Sequence, residues 1–198
     1  MLLVKNMPRN ISLAKVVESC IYGFEEANLS YIEWTGGWSA RTAPEFLSQV
    51  EIAKALAKIS PAVSLEDKIQ DIISNAQGET KGKLPRNNLG RVDLTVWHAS
   101  SEPRFVIEIK KANTPSKIKG DVRRLGQLVD RCSKLQAGLM IVITGAVKEE
   151  TLESRFNAMK KDLRIKLLKK SKYIQATNKK EKSIYVGAAI FIVKSKHR

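Results

Sequence analysis

Three charged residues lie inside two segments that otherwise have the composition of buried β-strands. Asp93 falls within RVDLTVW, and Glu108 and Lys110 fall within RFVIEIK. Because side chains alternate along a strand, Glu108 and Lys110 share one strand face, opposite the apolar Ile107 and Ile109. A charge held against a core is costly unless something compensates it, so these positions require a chemical explanation.

The segment HASSEP between the two runs is turn-like, which predicts a β-hairpin. If Trp97 lies opposite Arg104, the same register places Asp93 opposite Glu108. Cross-strand neighbours have Cβ atoms roughly 5 Å apart, close enough for two carboxylates to share one cation. Mg²⁺ takes such oxygen ligands and keeps water molecules for a phosphate substrate, and Lys110 points toward the same place. The pattern therefore predicts hydrolysis of a phosphate ester assisted by a divalent cation.

The pattern D-x14-E-x-K across two strands resembles the PD-(D/E)XK nuclease superfamily, which has a restriction-endonuclease-like fold. The likeness covers roughly residues 44–145, and Val92 stands where the nominal motif has proline. The resemblance implies that Asp93, Glu108 and the main-chain carbonyl of Ile109 bind Mg²⁺, with Mn²⁺ able to substitute. It also implies that Lys110 assists the attacking water.

The same resemblance implies two supporting residues on helices. One is a glutamate upstream of the hairpin, for which Glu51 is the candidate catalytic and metal-binding residue and Glu45 the alternative. The other is a glutamine or basic residue on the helix after the lysine, for which Gln127 is the candidate. The predicted helix from Pro44 has Phe46 and Val50 on its apolar face, with both glutamates off that stripe.

The charge of the chain predicts a polyanionic partner, and DNA is the first candidate. Lysine and arginine number 35 against 20 aspartates and glutamates, which gives a formal net charge of +15. Basic residues recur every seven positions on the helix predicted after Thr114, and ten of them fall between residues 160 and 182. The candidate nucleic-acid-binding residues are Lys117, Arg124, Arg131, Lys160, Lys161, Lys169 and Lys170.

The order of predicted elements indicates one α/β domain over residues 1–198, with a mixed β-sheet flanked by helices on both faces. We expect an N-terminal helix and extended arm over 1–43, a nuclease core over 44–145, and a basic helix and final strand over 146–198. Locally, the patterns predict a short helix capped by Ser64, an extended segment at YIEWTGGWSA and a helix over residues 149–168.

Cysteine usage and hydropathy bear on the compartment. Cys20 and Cys132 form no C-x-x-C motif, so we expect reduced, buried thiols. The opening MLLVKNMPRN has no apolar signal region, and no apolar run is long enough to span a bilayer. These features predict a cytoplasmic protein with no membrane partner.

The sequence as a whole predicts a Mg²⁺-dependent endonuclease acting on DNA, of the restriction, defence or mobile-element type. A Holliday junction resolvase or an exonuclease on the same fold remains open, because fold analogy does not choose among them. A non-catalytic nucleic-acid-binding module is the alternative from another class. The small size favours a homodimer or a partner protein that supplies specificity.

Overall fold

A computed structural model describes residues 11–76, 90–178, 180 and 182–194. Five helices and seven strands follow one another in this part of the chain, with a short 3₁₀ turn at Pro115–Lys117. The elements are α1 (Leu13–Thr35), α2 (Glu45–Ala57), β1 (Ala62–Lys68), α3 (Ile69–Asn75), β2 (Arg91–Trp97), β3 (Pro103–Lys111), α4 (Lys119–Arg131), β4 (Ala137–Ala146), α5 (Glu149–Leu163), β5 (Lys166–Lys170), β6 (Ile174–Thr177) and β7 (Ser183–Val193).

The seven strands form one mixed sheet in the order β1-β2-β3-β4-β7-β5, and β6 also pairs with β7. Strands β2 and β3 form the predicted antiparallel hairpin, while β3 and β4 are parallel and joined through α4. All ten residues of β4 are buried, as expected for a continuous apolar strand covered on both faces. Strand β7 lies between β4 and β5 and is antiparallel to both.

Helices cover both faces of the sheet, which confirms the predicted α/β layering. Helices α1 and α2 pack on the face that carries Phe105, Ile107 and Ile109, whereas α3, α4 and α5 pack on the face that carries Val106. Helices α1 and α2 cross closely at Gly23, where an added Cβ would lie only 2.5 Å from the Cα of Ile52. Two apolar cores thus hold the hairpin from opposite sides.

The segment after Ser64 differs from the predicted helix. Residues Ala62–Lys68 form β1, and the helix begins only at Ile69. The Ser64 hydroxyl donates to the carboxylate of Asp67 and accepts the indole N–H of Trp97 at 2.6 Å, so it caps no helix. Pairing with β2 is a non-local contact that outweighs the local helical pattern.

Two other helix boundaries also differ from the prediction. Helix α1 continues through YIEWT to Thr35, where Gly36 ends it in the left-handed conformation with φ of 69°, so only the Gly-Gly turn is confirmed. Helix α5 stops at Leu163, because Arg164 has φ of 53° and the following residues pair with β7 as β5. The predicted basic helix is therefore a helix end followed by an edge strand.

Among the described residues, no helix is long and apolar enough to cross a membrane. Cys20 and Cys132 are buried, and neither takes part in a disulfide bond.

Candidate active site

The register of the hairpin agrees with the prediction over its central pairs. Leu94 lies opposite Ile107 and Val96 opposite Phe105, the offset that sets Asp93 level with Glu108. A bulge shifts the register at the far end, so the pair chosen to define it is wrong: Pro103, not Arg104, faces Trp97. The bulge lies next to the turn, away from the acidic pair, and leaves that pair in place.

Asp93 lies where β2 and β3 separate. The regular pairing of the two strands ends at Leu94. Beyond it, Oδ2 of Asp93 accepts the main-chain N–H of Ile109 at 2.6 Å, and Oδ1 accepts the side-chain amide of Gln49 at 2.8 Å. A carboxylate thus occupies the place of the next ladder hydrogen bond and is fixed by β3 on one side and α2 on the other.

The strands are irregular at this point as well. Val92 packs with the α3–α5 core and Leu94 with the α1–α2 core, although strict alternation would put them on one face. On β1, Leu65 pairs with Leu94 and Asp67 with Val92, so the intervening Glu66 is level with Asp93. Glu66 has φ of 56°, a left-handed conformation that is uncommon for glutamate and is often kept at functional positions.

Glu108 is a buried carboxylate with one cationic partner. It is 5 % exposed, and its Oε1 accepts a hydrogen bond from Nη2 of Arg124 at 2.7 Å. The same nitrogen of Arg124 lies 3.0 Å from Asp121, one turn earlier on α4. Helix α4 therefore brings an arginine, together with a second acid, over the carboxylate of β3.

Glu45 connects α2 to the end of β3. Its Oε1 accepts the main-chain N–H of Lys111 at 2.9 Å, and its Oε2 lies 3.7 Å from the ammonium of Lys110. The ammonium of Lys111 donates to the carbonyl of Ala43, and burial lowers the pKa of this lysine to about 8. Glu45 is therefore the helix glutamate that the fold brings to the hairpin.

The environment of the two acids disfavours their charged forms. Burial raises the pKa of Asp93 to about 6, with Glu66 and Glu45 adding to the effect and the N–H of Ile109 and Lys110 opposing it. Burial also raises the pKa of Glu108 to about 7; the charge of Asp93 acts in the same direction, and Arg124 acts against it. A cation placed between these carboxylates would relieve both penalties.

The oxygen donors here fit the chemistry of a hard divalent cation. In a strand the N–H and C=O of one residue point toward the same neighbour, so the carbonyl of Ile109 is directed toward β2 and Asp93. Mg²⁺ is commonly held by one or two carboxylates and several water molecules. In the described part of the chain, no group of three or more histidine, cysteine or acidic side chains could hold a metal ion. A cation would therefore rest on Asp93, Glu108 and main-chain or water oxygens.

Glu51, the first candidate for the helix glutamate, lies elsewhere. Its carboxylate accepts from the ammonium of Lys54 at 2.9 Å, one turn further along α2. It is two residues from Gln49, which corresponds to about 200° around the helix axis. Of these three residues of α2, Glu45 and Gln49 contact the hairpin, whereas Glu51 pairs with Lys54.

Gln127 also lies away from the acidic pair. It is exposed and lines a separate cleft between α4 and the Arg164–Lys166 segment, together with Arg123 and Asp130. Arg124, predicted only as a phosphate contact, is the α4 residue that reaches Glu108. On α4, Arg124 and not Gln127 is therefore in contact with the acid of β3.

The predicted DNA-binding residues fall into two groups. Lys117, Lys160 and Lys161 are exposed, and Arg131 is half-buried. Lys169 lies 3.8 Å from Glu18, and Lys170 lies 2.5 Å from Glu153, so both are engaged in ion pairs. These last two lysines belong to the edge strand β5, where charge also prevents pairing with another sheet.

The site contains residues that the sequence patterns missed, namely Gln49, Glu66 and the site role of Arg124. Gln49 offered one signal, because it is a polar residue one turn after Glu45 and one turn before the buried Ala53. A positive φ at Glu66 has no signature in the residue type.

The chain matches no protein-family model, and comparison with curated proteins and with solved structures finds no match. A functional conclusion therefore rests on the chain's own sequence and on the geometry of the site.

Proposed function

We propose that this chain is a Mg²⁺-dependent nuclease that hydrolyses phosphodiester bonds in DNA, with a PD-(D/E)XK-like site. One observation carries the proposal: the register of two adjacent strands sets Asp93 level with Glu108, burial disfavours the charged form of both carboxylates, and the charge of Asp93 further disfavours that of Glu108. Lys110 lies close enough to Asp93 to lower the pKa of that acid. Two carboxylates and a lysine at a strand fork are a suitable set for metal-assisted hydrolysis.

The residues divide the work as follows. A divalent cation held by Asp93 and Glu108 would polarise the phosphodiester and lower the pKa of the attacking water. Lys110, held 3.7 Å from Glu45, orients that water and stabilises the negative charge that grows on the phosphate oxygens. Water adds to phosphorus, the phosphorus–oxygen bond to the leaving group breaks, and the leaving oxygen takes up a proton.

The second group of residues fixes the first. Gln49 donates to Asp93, and the N–H of Ile109 donates to the other oxygen of the same carboxylate, so its orientation is determined. Arg124 neutralises Glu108 and, by moving toward solvent or substrate, would free an oxygen for a cation. Its side chain is 37 % exposed, which leaves room for that movement.

The net charge of +15 supports a nucleic acid as the substrate, because a polyanion is attracted to such a surface. The exposed Lys117, Lys160 and Lys161 are available for phosphate contacts that carry no sequence information.

A non-catalytic nucleic-acid-binding protein is the second candidate function, and one contact favours it. The ion pair between Arg124 and Glu108 at 2.7 Å already supplies a positive charge where a cation would lie. In that case the pair is a structural replacement for the metal, and the chain binds DNA without cleaving it.

A cleavage assay separates the two functions. Supercoiled plasmid, linear duplex, single strands and four-way junctions are incubated with Mg²⁺ or Mn²⁺, using the wild type and the variants Asp93→Asn, Glu108→Gln and Lys110→Met. We expect metal-dependent cleavage by the wild type and a loss of at least about 100-fold in each variant, the usual effect of removing a catalytic group. Mononucleotide products would indicate an exonuclease, and selective loss of junctions a resolvase.

Matched controls change the same residue types away from the site. Glu51→Gln removes a carboxylate from the other side of α2, Asp162→Asn changes an exposed acid on α5, and Lys15→Met changes an exposed lysine on α1. These variants should cleave like the wild type. Binding of every substrate without cleavage in either metal would reject the nuclease and support the binding module.

A further inference from the structure

A pocket of about 400 Å³, lined by both polar and apolar residues, opens beyond the carboxyl ends of β3 and β4. Its polar walls come from the loop before α2, the loop after β3, the first two turns of α5 and the segment after β6. The polar side chains in the lining are Arg41, Asn113, Thr151, Arg155 and Asn178.

Two arginines converge on a single amide oxygen in this pocket. Oδ1 of Asn113 accepts from Nη2 of Arg41 at 3.0 Å, from Nη1 of Arg155 at 3.4 Å and from the hydroxyl of Thr144 at 2.9 Å. Nη1 of Arg155 also donates to the carbonyl of Gly145 at 2.6 Å. All these acceptors are neutral, so they orient the two guanidinium groups without balancing their charge.

Neither guanidinium forms an ion pair with an acid of the described residues. Burial and the charge of Arg155 lower the pKa of Arg41. Nε of Arg41 is buried and has no hydrogen-bond partner within the described ranges of the chain. The nearby acids at the start of α5, Glu149 and Glu150, are exposed and pair with neither arginine. Two adjacent positive charges with no counter-charge among the residues that the structure describes favour an anion between them.

The backbone leaves room for this arrangement. A Cβ added at Gly145 would lie 2.8 Å from Cδ of Arg41, closer than side-chain atoms approach. Glycine at the end of β4 thus lets the stem of Arg41 lie against the strand. Arg41 is therefore packed against the strand and does not extend freely into solvent as a surface arginine does.

We infer that this pocket binds a phosphate group of a nucleic-acid strand, an inference that rests on the proposed function for the source of the phosphate. Guanidinium groups present donors in a planar fork that matches phosphate oxygens, which lysine does not reproduce. The hydroxyl of Thr151 and the amide of Asn178 line the same pocket and can donate to the remaining oxygens.

The pocket adjoins the candidate active site along the chain. Asn113 is four residues beyond Ile109, so the two lie at most about 14 Å apart. That distance is the axial length of about four nucleotides of one strand. Between them, the charges of Glu45 and Arg41 both act on the ammonium of Lys111. A phosphate held in the pocket would align a strand that places another phosphate, within about four nucleotides, at Asp93 and Glu108.

Binding without cleavage tests the inference separately from the nuclease. Calorimetry measures inorganic phosphate binding in EDTA for the wild type, Arg155→Gln, Arg155→Lys and Arg41→Gln. The control is Arg123→Gln, which removes one positive charge from an exposed site on α4. We expect the pocket variants to bind phosphate at least about tenfold more weakly and the control to bind like the wild type. Circular dichroism confirms that each variant is folded, and Arg155→Lys keeps the charge while removing the fork.

Oligonucleotide binding in EDTA then identifies the source of the phosphate. Arg155→Gln should reduce the slope of log affinity against log salt by about one for a duplex. The loss of affinity in Arg155→Gln is then compared for a 5′-phosphorylated and a 5′-hydroxyl strand. A larger loss for the 5′-phosphorylated strand means that the pocket holds a strand end, and an equal loss means that it holds an internal phosphate. Phosphate binding that is absent in the wild type, or unchanged in folded Arg155→Gln, overturns the site. Phosphate binding with an unchanged DNA salt slope overturns its assignment to nucleic acid. Lack of cleavage affects neither readout.

Discussion

Glu108→Gln should stabilise the fold at alkaline pH while it abolishes cleavage. The carboxylate is 5 % exposed, and burial raises its pKa from 4.5 to about 7. Between these values the folded state binds more protons than the unfolded state, so the free energy of unfolding falls as pH rises. At about 1.4 kcal/mol per unit of pKa difference, the cost of ionising Glu108 reaches roughly 3 kcal/mol above pH 7.

Glutamine has nearly the same shape and does not ionise, so it escapes this cost. Arg124 keeps Asp121 as a partner at 3.0 Å and is partly exposed, which limits the penalty of losing Glu108. The variant should therefore gain up to roughly 3 kcal/mol relative to the wild type between pH 4.5 and pH 8.

Urea unfolding in EDTA at several pH values from 4.5 to 8 measures the difference. Adding Mg²⁺ at pH 8 should then stabilise the wild type, by about 2.7 kcal/mol at 100 times the dissociation constant, and stabilise the variant much less. A stability difference that stays constant across this pH range, within about 0.5 kcal/mol, would refute the reasoning from burial.

Two further substitutions test the supporting structure. Gln49→Leu removes the donor to Asp93, so the affinity for a cation should fall about 10-fold to 100-fold, as measured by Mn²⁺ titration. It also removes a buried Oε1 that has no partner among the described residues, so urea unfolding should show little loss of stability. Gly23→Ala should destabilise the fold by about 1–3 kcal/mol or more, because its Cβ would lie 2.5 Å from Cα of Ile52; unaltered urea unfolding would contradict the close helix crossing.

Much of the hairpin could be predicted because its signal is local. The alternation that separates Glu108 from Ile107 and Ile109 follows from strand geometry alone, and the turn fixes the register to within the bulge at Trp97. Sequence could not specify how the β2 backbone breaks alternation at Asp93, since the distortion depends on β1 and the conformation of Glu66.

The helix residues were predicted less well, because the apolar stripe of α2 is ambiguous. The prediction placed Phe46 in the core, but it is 56 % exposed, while the polar Gln49 is buried. That rotation of the helix exchanges Glu51 for Glu45 at the site. Short strands such as β5 exist only because β7 pairs with them, and no local pattern contains that partner.

The arginine pocket illustrates the remaining limit. Arg41 and Arg155 are far apart in sequence and meet only because the ends of β3 and β4 bring Asn113 and Gly145 between them. Each arginine alone has the appearance of a surface charge.

The position of β7 has a consequence for how the protein is made. This strand, Ser183–Val193, lies between β4 and β5 in the sheet although it is the last of the seven strands in sequence. During synthesis, β4 therefore emerges with one hydrogen-bonding edge open and an apolar surface uncovered until residue 193 is available. Contacts of such long sequence separation slow folding and expose intermediates to aggregation. Chains that end before β7 should therefore accumulate bound to chaperones or in inclusion bodies. The β2–β3 hairpin is already synthesised in such chains, but its site does not form.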